Sequence, residues 1–220
     1  MYNAEGELPD AFINSGSCVI SHYPLKDLFS EKPKLHNMKK LIIGSLVGAV
    51  LLFGWQSLSW TALNIHEEAN QYSSNQDSIL AALSRQLPSE GQYVIPRLPP
   101  DASAEAMEKM GEQMKGKPWA VVTYHAAYKN DMTSSLIRGF LIGLVCVSLV
   151  CMVIQKLGNK SFTNIFVTVL SFALISFFYV WYNQHNWFDI PWAVLKGEMI
   201  DLFASWGLCA AWLGWWYSKK

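Results

Sequence analysis

Residues 134–154, SSLIRGFLIGLVCVSLVCMVI, hold one charge, Arg138, in an otherwise apolar and small-residue run. A hydrocarbon layer of ~30 Å is crossed by about 20 helical residues at 1.5 Å of rise each. Three further runs, 41–63, 161–182 and 199–217, have the same character. Together they predict an all-α membrane protein, a four-transmembrane-helix bundle. The 70 or so residues between the first two runs are left over as a small α+β extracytoplasmic domain. The expected organisation is a tail at 1–37, spans at 38–63, 134–155 and 161–182, the domain at 64–133, and an outer amphipathic segment plus fourth span at 187–217.

Charge placement sets the expected topology. Of 220 residues, 51% are hydrophobic and 15% charged, with a formal net charge of zero. No overall field therefore recruits nucleic acid. Lys32, Lys34, Lys39 and Lys40 precede the first run, Lys156 and Lys160 separate the second and third, and Lys219 and Lys220 close the chain. Basic residues flanking spans stay on the cytoplasmic side. Both termini are thus expected inside, with 64–133 and 183–189 outside. Trp60, Trp181, Tyr182, Trp187 and Trp192 then mark one headgroup level, and Trp215, Trp216 and Tyr217 the other.

Met38-Lys39-Lys40 followed by apolar sequence resembles a signal-type opening, read as an uncleaved anchor of a bacterial inner membrane. On that reading residues 1–37 are either a disordered cytoplasmic tail or sequence upstream of the true start. Cys18, Cys146, Cys151 and Cys209 show no C-x-x-C spacing, and 64–133 has no cysteine, so no disulfide scaffold is expected.

Within the outer domain, Ile65, Ala69, Tyr72, Gln76, Ile79, Leu83 and Leu87 recur at helical steps, predicting that the first span continues as a stem to Pro88. Gln92–Ile95 and Trp119–His125 are strand candidates. Between them Asp101 or Ser103 caps a helix that Gly116 ends. Strand, helix, strand order predicts a parallel pair.

Ionisable groups at membrane depth are the sharpest chemical signal, because an unpaired charge there costs several kcal/mol. Counting rise from the inner ends places Arg138, Asp201, Gln56 and Tyr179 on one level, with Glu198 and Lys196 above. Arg138 is expected to pair with Asp201 or Glu198, forming either a strut between spans or an outward-facing ion or ligand site. Gly44/Gly48, Gly139/Gly143 and Ala210/Gly214 are small-xxx-small pairs suited to close helix packing.

Met107, Met110 and Met114 share a helix face and, with His66 and His125, are weak metal candidates. Flexible core filling is the commoner use of such methionines. No hydrolase, zinc-protease, Walker or dinucleotide motif occurs, so neither catalysis nor a cofactor is expected. The favoured function is a non-catalytic accessory or assembly subunit that meets lipid and another membrane or periplasmic protein. The alternatives are a small transporter or channel built on the polar layer, and a metal-binding or sensor protein.

Overall fold

A computed structural model describes residues 35–219; the expected tail lies outside them, apart from its last residues. In chain order the elements are α1 (Leu35–Thr61), α2 (Gln76–Gln86), β1 (Gly91–Ile95), α3 (Ala104–Met114), β2 (Ala120–Tyr124) and α4 (Met132–Lys156). There follow α5 (Phe162–Ser176), a π-helical segment (Phe177–Tyr182), α6 (Asn183–Phe188) and α7 (Trp192–Ser218). Among the described residues, three continuous helices are long and apolar enough to cross a membrane: Asn37–Thr61, Met132–Lys156 and Phe162–Phe188.

The fourth expected span differs from these. At 27 residues α7 matches α1 in length. Lys196, Glu198 and Asp201 occupy its first three turns, however, so its charge-free part is Leu202–Ser218, near the short limit for a span.

Packing within the helices concentrates at one end. Val147, Val150, Cys151 and Ile154 of α4 meet Ile165 and Val169 of α5, and Cys209, Ala210, Leu213 and Tyr217 of α7, in one buried cluster. Away from it, Ile42, Leu46, Val50, Leu141, Val145, Leu149, Val167 and Ile175 turn apolar side chains outward. Helices that are apolar on every face suit lipid rather than water.

α1 and α7 run antiparallel, and their contacts advance in step. Trp216 Nε1 donates to Lys40 O (2.9 Å) and Trp212 Nε1 to Gly44 O (3.2 Å). A Cβ on Gly48 would sit 3.1 Å from Cys209 Sγ and 2.7 Å from Val147 Cγ1. Further along, Trp55 and Ser59 reach Asp201. Lys40 Nζ also donates to Lys219 O (2.8 Å), so Lys40 of α1 lies beside the residue that follows α7.

Two expectations for the outer segment are corrected. The stem does not continue: α1 stops at Thr61, residues 62–75 form turns, and a separate helix starts at Gln76. Asn64 takes φ 50°, a left-handed conformation that Asn tolerates and that ends a helix. The strands are antiparallel, Gly91 facing Tyr124 and Ile95 facing Ala120. A parallel pair needs cover on both faces. No residue of α2, β1, α3 or β2 is fully buried, so that cover is missing. The α3 boundaries agree with expectation: Ser103 Oγ accepts from Ala106 N (3.2 Å), and Gly116 takes φ 73° just after the helix.

Asp131 caps α4, its Oδ1 accepting from Ser134 N (3.1 Å). Hydrogen bonding from Ser134, side chain first and then backbone, holds this carboxyl below its ordinary value of 3.8.

Candidate functional site

Asp201, in the third turn of α7, is the centre of the most connected polar group at the end of the helices where α1 stops and α7 begins. Its Oδ1 accepts from Ser59 Oγ (2.5 Å) and from Trp55 Nε1 (3.1 Å), both on α1. Its Oδ2 accepts from His66 Nε2 at 2.9 Å. A carboxylate only accepts, so Nε2 of His66 carries the proton. Three donors from two segments converge on one acid, which is how a carboxylate withdrawn from water is made tolerable.

Chain geometry explains how His66 arrives there. The turn after Thr61 reverses the chain, and the His66 carbonyl accepts from Asn70 N (3.2 Å) and Asn70 Nδ2 (3.0 Å), closing the loop. The ring is 5% exposed and stacks on Trp60 with centroids 4.1 Å apart and planes 12° apart. Gly197 lies against the imidazole, where a Cβ would approach Nδ1 to 2.9 Å. Nothing in the spacing of residues 64–70 signals this fold-back; the nearest sequence clue is the need of Asp201 for a partner.

The group does not form a nucleophilic relay. In such a relay the serine hydroxyl donates to the imidazole and the acid holds the other ring nitrogen. Here Ser59 donates to the acid, so it is not activated by the histidine. The arrangement fixes the first and last long helices and the 62–75 turn to each other.

The expected polar layer is divided rather than assembled. Arg138 is exposed and turned back along its own helix, Nε donating to Ser134 O (3.2 Å), with Nη2 3.5 Å from Ser135 Oγ. The expected pairing of Arg138 with Asp201 or Glu198 is therefore corrected to His66 with Asp201. Lys196 leaves the layer to meet Glu68 at 2.9 Å on the surface. Tyr179, 78% exposed, faces away from the protein. Gln56, Glu198 and Asp201 remain together, lining a cavity of about 330 Å³.

The glycine pairs divide as well. Gly44 and Gly48 lie under Tyr217, Trp216, Cys151, Val147 and Cys209, and a Cβ on Gly214 would come within 2.8 Å of the Phe162 ring. Ala210 is wholly buried. Gly139 and Gly143 pack nothing: a Cβ on either meets no atom within 4 Å. Both line the cavity instead.

His66 is bound to Asp201, whereas His125 and Met107 are exposed. Among the described residues no three His, Cys, Asp or Glu side chains converge. Sequence-family, curated-protein and solved-structure comparisons find no match to the chain.

Proposed function

We propose that this chain is a multi-pass protein of a bacterial inner membrane, with α7 as a fourth span and both termini cytoplasmic. Its proposed role is that of a non-catalytic accessory or assembly subunit whose outer segment docks on another membrane or periplasmic protein. The observation that carries this reading is the state of residues 70–131. They are ordered into two helices and a two-stranded sheet without one fully buried side chain. Two strands alone are marginal in water. Leu80, Ile95, Met107 and Trp119 stay exposed on them, with Tyr128 beyond. A partner surface is what such a segment lacks.

Support for α7 as a span comes from its register with α1, which holds from Lys40 to Ser59 and places the basic ends side by side. A conducting role finds less support. Below the cavity the helices close on Val147, Val150, Ile154, Ile165, Val169 and Leu213, a largely apolar plug in which Ser45, Cys151 and Tyr217 are also buried.

Photo-crosslinking in intact cells tests the reading. A benzophenone side chain placed at position 80, 107 or 119 should give one discrete larger species from each site. Crosslinks to lipid alone, or none, would reject the docking role.

A further inference from the structure

We infer that the cavity between the helices is a binding site for an organic cation, a positively charged amine carrying apolar substituents. This goes beyond the accessory role and does not depend on it. At about 330 Å³ the cavity is within the range that encloses small ligands. Each of α1, α4 and α7 and the π-helical segment contributes to its wall, so it is a feature of the assembled bundle rather than a surface dent.

Three observations define the occupant. The first is charge. Glu198 and Asp201, one turn apart on α7, both line the space, and no basic side chain does. Asp201 is already served by three donors. Glu198, half-buried, makes no hydrogen bond or ion pair among the described residues. Its charged neighbours are His66 and Asp201, neither of them hydrogen-bonded to it, and an ammonium group in the cavity would supply the direct partner that a carboxylate withdrawn from water lacks.

The second is the remainder of the lining. Trp55, Trp60, Trp181 and Trp206 come from three different segments. Indole is the side chain best suited to a substituted ammonium, through the attraction of cations to its electron-rich face. A hydrated inorganic ion has no use for four indoles, whereas an alkylated amine buries its carbons against them.

The third is how the space is kept open. Gly139 and Gly143 turn a bare stretch of α4 toward it, leaving the nearest atoms beyond 4 Å from either Cβ position. On the opposite helix, the π-helical segment inserts a residue into the helical phase. Phe177 is left in the core and Trp181 in the cavity wall, and Asn183 N reaches back to Phe178 O. Such insertions recur at functional sites.

The amine has two sources, the ethanolamine headgroup of a lipid or a soluble amine from the outer compartment. Full-length protein in nanodiscs of phosphatidylglycerol alone is titrated with benzyltrimethylammonium chloride, with matched sodium chloride as control. Tryptophan fluorescence and thermal unfolding report binding. Saturable binding with a raised melting temperature is expected, weakened at least tenfold by Glu198→Gln and abolished by Gly143→Leu, which fills the recess. Should Gly143→Leu fail to fold, the Glu198→Gln comparison decides alone. In discs containing phosphatidylethanolamine, weaker apparent probe binding and a Glu198-dependent rise in melting temperature assign the lipid source. Equal binding in both discs assigns the soluble one. No saturable binding to folded protein together with no Glu198-dependent lipid effect, or binding indifferent to Glu198→Gln, overturns the assignment.

Discussion

The imidazole of His66 occupies the volume that a side chain at position 197 would need: a Cβ on Gly197 would lie 2.9 Å from Nδ1 and 3.2 Å from Cε1. The ring is also stacked on Trp60, with centroids 4.1 Å apart, and hydrogen-bonded to Asp201, so a shift disturbs both contacts. Gly197→Ala is therefore expected to push His66 off Asp201, lowering the melting temperature in detergent. A second substitution, His66→Ala, should remove most of the Gly197→Ala penalty, since the clash is gone. A full additive loss in the double variant would show that the two positions do not share this space.

Asp201 and Arg138 provide a sharper comparison. Asp201→Ala leaves the Trp55, Ser59 and His66 donors without their acceptor, and a buried polar group left unpaired costs about 1–3 kcal/mol, so this should be among the most damaging single changes. Arg138→Gln should be close to neutral, because the guanidinium contacts only its own helix. Thermal unfolding of the double variant should match the sum of the two singles. Rescue of Asp201→Ala by Arg138→Gln would restore the direct pairing that the structure replaces.

Among the glycines, position decides the cost of a methyl group. Gly48→Ala drives a carbon to 2.7 Å from Val147 and 3.1 Å from Cys209 Sγ, and overpacking of this kind costs about 1–3 kcal/mol. Gly139→Ala meets nothing and gains helix propensity. Opposite effects on detergent melting temperature are expected from these two changes within otherwise similar motifs.

The Asp131 cap carries a pH dependence. Its carboxyl is held below the ordinary value of 3.8 in the folded state, so its contribution is fully present above that value. The contribution is lost as pH falls through the lower folded value. Hydrogen exchange at the Ser134 amide should be faster in Asp131→Ala than in the parent at pH 7. The difference should close below about pH 3.8, and a gap that persists in strong acid would contradict the cap.

Strand direction can be tested by cysteine pairing in a background without the native cysteines. Gln92 faces Thr123 across the antiparallel pair. Gln92→Cys with Thr123→Cys should form a disulfide on mild oxidation, and Gln92→Cys with Ala120→Cys should not. The reverse preference would indicate a different register.

Much of the helical scaffold was legible because apolar runs of span length admit few other readings. The α3 helix was readable from Ser103 and Gly116, residues with strong local preferences. What escaped was azimuth. Counting 1.5 Å per residue gives only an expected height for Arg138 and Asp201 along their helices. It says nothing of which way each helix is turned, and Arg138 faces outward while Asp201 faces α1. The His66 contact was hidden for another reason: it spans 135 residues and depends on a reversal at Asn64 and a gap at Gly197. Neither is periodic. Strand direction was misjudged because element order was weighed without asking what would cover a parallel pair.

The pairing of α1 with α7 has a consequence for biosynthesis. Trp55 and its acceptor are 146 residues apart in the chain. At translation rates of 5–20 residues per second, α1 leaves the ribosome roughly 7–30 s before the carboxylate that will receive its indole and hydroxyl donors. During that interval the nascent helix presents unmatched Ser59 and Trp55 together with bare Gly44 and Gly48. That edge finds its match only once α7 emerges.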